Sequence, residues 1–324
     1  MNSPEKRGAP IVIFVYNRAK HTRRLLESLL QCHYESQPLV YVFCDGPRNE
    51  GERSQVEQVR NVLAEFSSRL PMKITISPTN KGLAESVISG VSLVLQMHKT
   101  AIVLEDDLVV APDFLKFMNW GLETFETNQR VFSVSGFTFP SQYFPLPAHY
   151  PHNVLLSPRC SSWSWATWSN RWQDVDWSMS YYPMFRDNPN RVEQFNAGGS
   201  DLSKLLELQT KKKIDSWAIR FCFAHYENTA YCLHPRSTLV HNRGLDGSGT
   251  HSRPERRFEH KDSFGSWTPN EEDSAVEVSP LICEQVRRFY DGRTGPLMGR
   301  IRGLVIRSRL LHVARRILYR SASQ

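Results

Sequence analysis

The chain has 324 residues, room for one large or two small domains, and its 40% hydrophobic and 23% charged composition is that of a protein with a full buried core. With Gly 17 and Pro 19 it is neither collagenous nor low-complexity, and no run approaches the roughly 18 apolar residues of a spanning helix. The net charge of +7 sits at one end: no acid follows Asp291, while Arg293, Arg300, Arg302, Arg307, Arg309, Arg315, Arg316 and Arg320 give +8, leaving residues 1–291 at −1. A body that close to neutrality lacks the clustered Lys and Arg of a nucleic-acid-binding core, so no nucleic-acid partner is expected.

Residues 1–10 carry charges but no apolar segment of signal-peptide type, so the expected location is the cytoplasm. Cys32, Cys44, Cys160, Cys222, Cys232 and Cys283 form no CxxC pair, which points to buried reduced thiols and leaves a Cys222–Cys232 bridge open.

The first 135 residues alternate strand and helix patterns. Ile11 to Tyr16 is a continuous apolar run of buried-strand type, and Ala19 to Gln31 takes helical spacing through Leu25, Leu26, Leu29 and Leu30. A second strand, Leu39 to Cys44, ends in Asp45-Gly46-Pro47, and Gln55 to Phe66 follows as a helix. Met72 to Ser77 (strand), Asn80-Lys81-Gly82 (turn), Leu83 to Met97 (helix), Ala101 to Leu104 (strand), Pro112 to Thr127 (helix) and Val131 to Ser135 (strand) continue the alternation. This predicts βαβ units and a mostly parallel sheet with helices on both faces. From Phe137 the chain is aromatic and irregular, with Trp163, Trp165, Trp168, Trp172 and Trp177 close together. Helices over Leu202 to Lys212 and Ser216 to Tyr226, a strand over Ala230 to Leu233 and a glycine-bearing segment from His241 to His251 complete the body.

Glu105-Asp106-Asp107 follows an apolar strand directly. Ligands of open α/β sheets bind beyond the carboxyl ends of the strands, and three adjacent carboxylates there suit a hard divalent cation such as Mn²⁺ or Mg²⁺; a solvated loop is the plainer alternative. Asn17-Arg18, Asp45-Gly46 and Asn80-Lys81-Gly82 end the neighbouring strands, so polar groups converge on one edge.

Residues 101–117, AIVLEDDLVVAPDFLKF, resemble the Glu-Asp-Asp segment of N-acetylglucosaminyltransferase I and its relatives, inverting glycosyltransferases of GT-A fold, and Ile11 to Leu30 with Asp45-Gly46 resemble bacterial family-2-type sugar transferases. The resemblance runs over about residues 10–245. It implies an α/β GT-A fold, with a nucleotide-sugar half (10–136) and an acceptor and catalytic half (137–270) in a domain of residues 1–270, followed by an extension (271–324). It further implies a nucleotide-sugar donor, UDP-linked, a glycan or lipid-linked acceptor, and Mn²⁺ or Mg²⁺ held by Asp107. Asp106 and Glu105 would face the sugar nucleotide, Asp45 the nucleoside, Arg18 the diphosphate, and Ser86 would stand where the family has a nucleoside-contacting histidine.

The family's base lies in a Trp-Asp-Asp-Trp pattern, of which Ile214-Asp215-Ser216-Trp217 keeps the first Asp and the last Trp; Asp215 is therefore the base candidate, with helix capping as the alternative. Trp163, Trp165 and Trp217 are candidates to line the sugar side, with core packing as the alternative. Asn17, Lys81 and Arg243 are donor-side candidates, His241 is an additional metal candidate, and the 241–251 loop is a candidate lid.

The arginine-rich tail from Gly292 to Gln324 spaces Leu297, Ile301, Leu304, Leu311, Ala314 and Leu318 as a basic amphipathic helix, which predicts an anionic membrane surface as its partner, with packing on a protein partner or on the body as the alternative. Surface polysaccharide or lipopolysaccharide assembly at the inner leaflet fits such a chain. A sugar nucleotidyltransferase and a non-catalytic glycan-binding protein of the same fold are the rival readings.

Overall fold

The computed structural model describes residues 8–34, 36–244, 256–260 and 263–292. Ten strands and ten α-helices occur among them: β1 (Ile11–Val15), α1 (Ala19–Leu29), β2 (Val40–Cys44), α2 (Arg53–Phe66), β3 (Met72–Ile76), α3 (Leu83–Met97), β4 (Thr100–Glu105), β5 (Leu108–Val110), α4 (Phe114–Thr124), β6 (Val131–Ser135), β7 (Val154–Ser157), β8 (Trp165–Trp168), α5 (Ser169–Gln173), α6 (Tyr182–Arg186), α7 (Pro189–Phe195), α8 (Leu202–Thr210), α9 (Trp217–Glu227), β9 (Tyr231–Pro235), β10 (Val240–Asn242) and α10 (Pro280–Tyr290).

Eight strands form one sheet in the order β3-β2-β1-β4-β8-β6-β9-β7. The β3-β2-β1-β4 half is wholly parallel, as the alternating pattern predicts. Beyond β4 the sheet is mixed: β8 runs antiparallel between β4 and β6, and β7 antiparallel on β9, while β6 and β9 are parallel. Strand β1 is buried along its whole length because helices cover both of its faces. Ile11, Ile13 and Val15 belong to one core with the apolar faces of α1, α2 and α4, whereas Val12 and Phe14 belong to another with α3, α8 and α9.

The sequence pattern places most N-terminal elements within a few residues of where they lie, but it misses the strands β5, β7, β8 and β10. Strands of three or four residues are too short for a period to emerge, and in β8 all four residues, Trp165 to Trp168, are buried, so no alternation marks it.

The boundary placed at residue 270 also needs correction. Asp273 is fully buried and its carboxylate accepts from the Asn153 N–H at 2.7 Å; Ile282, Val286 and Phe289 of α10 complete a core with Phe137, Phe139, Phe144 and Leu155. Burial of this apolar face makes 271–292 part of the body. The arginine-rich tail from 293 onward lies outside the described residues, as does the 245–251 part of the candidate lid.

Candidate active site

Strand β4 delivers Glu105 to the carboxyl edge of the sheet, and the chain turns at Asp106-Asp107 before β5. Strand β1 ends beside it, with Phe14 paired to Glu105, so that Arg18, at the start of α1, reaches both aspartates. The Arg18 guanidinium is ion-paired to Asp106 and lies 3.1 Å from Asp107 Oδ2. Among the described residues two buried atoms of this cluster find no partner, Arg18 Nη1 and Asp106 Oδ2. Such orphans are costly unless a further group completes them.

Burial pushes the Asp106 carboxyl up to about 6 against the pull of Arg18, with Asp107 adding to the rise. Glu105 is likewise pushed up, by burial first and then by the charges of Asp107 and Asp106.

A third element closes on the cluster. Strand β10 pairs antiparallel with β5, Asn242 opposite Leu108, and carries the chain back over the turn, where the Arg243 N–H donates to the Asp107 carbonyl at 2.8 Å. A Cβ on Gly244 would stand 2.4 Å from Asp107 Oδ2 and 3.0 Å from Arg18 Nη1. Only a glycine allows backbone this close to both charges. The sequence places Gly244 within the candidate lid; its contact with the acidic turn depends on the β5–β10 pairing, for which a three-residue strand gives no local signal.

Asp45 has a different partner set from the one expected of a nucleoside ligand. Its carboxylate accepts from the N–H groups of Gly46, Lys81 and Gly82 and from Asn80 Nδ2, at 2.9 to 3.2 Å. With both oxygens occupied it fastens the end of β2 to the turn after β3 and has little capacity left for a ligand. Asn17, just ahead of the α1 cap, and Ser86, in the first turn of α3, are half-buried, and the Lys81 side chain is exposed on the same edge. Next to them lies a group that the sequence reading leaves unnoticed: Tyr16 hydrogen-bonds Glu52, which also takes the Arg48 guanidinium at 2.7 to 3.2 Å. The i, i+4 spacing of Arg48 and Glu52 is its one sequence signal.

Among the described residues His241 belongs to no group of three metal-ligating side chains, and its buried Nε2 has no hydrogen-bond partner. Its ring stacks on His260 and Phe264, with centroids 5.5 and 4.3 Å away, and its Nδ1 faces the Arg243 guanidinium at 3.4 Å. Burial, then His260 and Arg243, push its pKa down to about 4. Trp165 and Trp217 do not line a cleft either: they are 1% and 3% exposed and stack on each other at 4.8 Å within the core beneath β4. Trp163 keeps partial exposure while packing on Phe137 and Phe258.

Asp215 lies outside α9, with its side chain 67% exposed and 2.9 Å from the Arg220 guanidinium. The α9 cap is Ser216, whose hydroxyl accepts from the Ile219 N–H, so capping does not account for Asp215.

Among the described residues no group of three His, Cys, Asp or Glu forms a ready metal cage. The oxygen set of Asp107 and the orphaned Asp106 Oδ2 nonetheless fits a hard divalent cation that takes one or two protein carboxylates and completes its shell elsewhere. Shallow grooves of about 320 and 390 Å³ lie between α2 and the edge strand β3, and neither includes a residue of the acidic cluster.

No family model matches the chain. Among solved structures it is similar to S. aureus TarS 1-349, at 12% identity and a TM-score of 0.41 over 74% of this chain, and it spans 62% of the length of that one. The S. aureus TarS 1-349 structure in complex with UDP matches at 12% identity and a TM-score of 0.40, covering 71% of this chain and 59% of that one. Mouse xyloside xylosyltransferase 1, in its apo form, matches at 12% identity and a TM-score of 0.34, covering 67% and 80%.

Proposed function

We propose that the chain is a glycosyltransferase of GT-A type that moves a sugar from a nucleotide donor, UDP-linked, to a hydroxyl of a glycan or lipid-linked acceptor with inversion. The observation that carries this reading is the convergence of Arg18, Asp106, Asp107 and the Arg243-Gly244 backbone at the carboxyl edge of the sheet, where two buried polar atoms of opposite character lack partners. A diphosphate answers one of them, since its oxygens accept from Arg18 Nη1. Mn²⁺ or Mg²⁺ answers the other: held by Asp107 and Asp106, it supplies charge neutralisation to the departing diphosphate.

Arg18 then has two tasks. It offsets the repulsion among the carboxylates before the donor arrives, and it turns part of its guanidinium to the diphosphate as negative charge grows there. Asp215, exposed and oriented by Arg220, takes the proton from the acceptor hydroxyl, and a single displacement inverts the anomeric centre. The choice of UDP rests on the resemblance of residues 101–117. The arginine-rich tail is proposed to hold the enzyme on the inner face of an anionic membrane, where surface polysaccharide or lipopolysaccharide is assembled.

The test is a turnover assay with purified protein, Mn²⁺, a panel of UDP-sugars and simple glycosides, following nucleoside diphosphate release. The expected results are release of UDP by the wild type, loss of roughly a thousandfold or more in Asp107→Ala, and donor binding without turnover in Asp215→Asn. An active Asp215→Asn removes that residue from the mechanism, and pyrophosphate release from UTP and a sugar 1-phosphate, with no UDP release from any UDP-sugar, makes the chain a nucleotidyltransferase.

A further inference from the structure

Cys160 lies in the loop between β7 and β8, and Cys222 lies in the middle of α9, 62 residues later. Their sulfurs are 2.8 Å apart, inside the contact distance of two unbonded sulfur atoms, and both side chains are buried. Each thiol also reaches a backbone carbonyl of the other element: Cys160 Sγ lies 3.7 Å from the Ala218 oxygen, and Cys222 Sγ 3.9 Å from the Cys160 oxygen. The neighbourhood is held in place. Arg159 is pinned to Asp201 at 2.7 and 2.9 Å and lies 3.6 Å over the Tyr290 ring of α10. Hydrogen bonding from Cys160, and then the charge of Arg159, hold the Cys222 thiol below its ordinary range against the opposing effect of burial. Cys232, the partner left open by the sequence, instead turns its sulfur to the Leu233 carbonyl at 3.8 Å.

We infer that Cys160 and Cys222 form a two-electron oxidation site at which a hydroperoxide converts the two thiols to a disulfide that ties α9 to the loop ahead of β8. Hydrogen peroxide is the oxidant small enough for thiols so little exposed. The Cys222 thiolate attacks one peroxide oxygen, the O–O bond breaks, and the hydroxide released takes up the Cys222 proton as water, leaving a sulfenic acid. The Cys160 sulfur then attacks Cys222 Sγ, the S–O bond breaks, and the second hydroxide leaves with the Cys160 proton as water. Two thiols are oxidised, one peroxide is reduced to two waters, and the balance closes. The disulfide ties the helix that follows Asp215 to the loop that carries Trp163. The inference stands on the thiol geometry alone and does not require the proposed activity.

The experiment uses the full chain, reduced, freed of reductant and treated with a few equivalents of hydrogen peroxide, then alkylated with N-ethylmaleimide under denaturing conditions and mapped by mass spectrometry. The expected result is a dithiothreitol-sensitive peptide pair linking Cys160 to Cys222, lighter by two hydrogens, together with a rise of about 5 °C or more in the thermal midpoint that reductant reverses. Cys222→Ser and Cys160→Ala lose the link and the shift, whereas Cys232→Ser keeps both. Full alkylation of Cys160 and Cys222 after peroxide, a Cys222–Cys232 link, or a sulfinic acid at Cys222 in the wild type overturns the inference. The wild-type map decides this even where a variant folds poorly.

Discussion

Asp45 and Gly244 show how single residues set the candidate site. Asp45 is nearly buried and satisfies four donors, so Asp45→Ala strands three backbone N–H groups and an amide at the end of β2. A loss of about 3 kcal/mol in unfolding free energy is expected from equilibrium urea denaturation, with a smaller loss in Asp45→Asn, which keeps one carbonyl acceptor. Gly46 belongs to the same junction, since a Cβ there would meet the Thr79 backbone at 2.6 to 2.8 Å. Gly244→Ala drives a methyl group into the Asp107 carboxylate, and calorimetry should show UDP affinity lowered about tenfold or more in the presence of Mn²⁺. Unchanged affinity would separate the Arg243-Gly244 segment from the donor site. Both residues stand out in the sequence, one as a strand-end acid and the other as a loop glycine. Their partners do not, because a carboxylate's preference between a ligand and three amide groups is decided by the approach of the 80–82 turn.

At the scale of elements, the chain is readable where local pattern and tertiary role coincide. Strands β1, β2 and β4 are continuous apolar runs because the sheet is covered on both sides, and α1, α2 and α3 carry one apolar stripe each. From 137 to 177 that coincidence ends. Aromatic side chains such as Phe137, Phe139 and Trp163 fill the core from loops, so burial there has no period to detect. Helix α10 is hidden for another reason: read together with the arginine tail it passes for part of an extension, although Ile282, Val286 and Phe289 face the body. Truncation after Gly292 is expected to leave the thermal midpoint within a degree or two, whereas Phe289→Ala is expected to cost about 3–5 kcal/mol and truncation after residue 270 to prevent cooperative unfolding. A stable, cooperative 1–270 fragment would restore the shorter domain.

For the whole molecule, two buried histidines set how stability responds to acid. Burial lowers His225 and His234 to about 4; each donates from Nδ1 to a backbone carbonyl, Phe221 and Phe137 respectively, and His225 Nε2 also meets the Ser133 hydroxyl at 2.7 Å. An unfolded histidine titrates near 6.5, so as pH falls from about 6.5 toward 4 the unfolded chain takes up protons that the folded chain refuses. Stability is therefore retained above pH 6.5 and lost below it, by about 2 kcal/mol per histidine between pH 7 and pH 5. Urea titrations at these two pH values should show the loss, and it should be smaller in His225→Gln. Charge is divided just as unevenly between body and tail. Removal of residues 293–324 should abolish co-sedimentation with anionic vesicles and leave the fold in place, and binding that survives the deletion assigns membrane contact to the body.

The proposed donor site joins these scales, because it needs the sheet edge, the β5–β10 pairing and the charges of Arg18 and Asp107 at once. Its most direct test is calorimetric titration of UDP into the full chain with Mn²⁺, with EDTA, and with Asp107→Asn. Saturable binding that requires the metal and disappears in the variant is the predicted result. Binding equally strong in EDTA and in Asp107→Asn, or none in any condition for UDP and the other nucleoside diphosphates, would contradict the account.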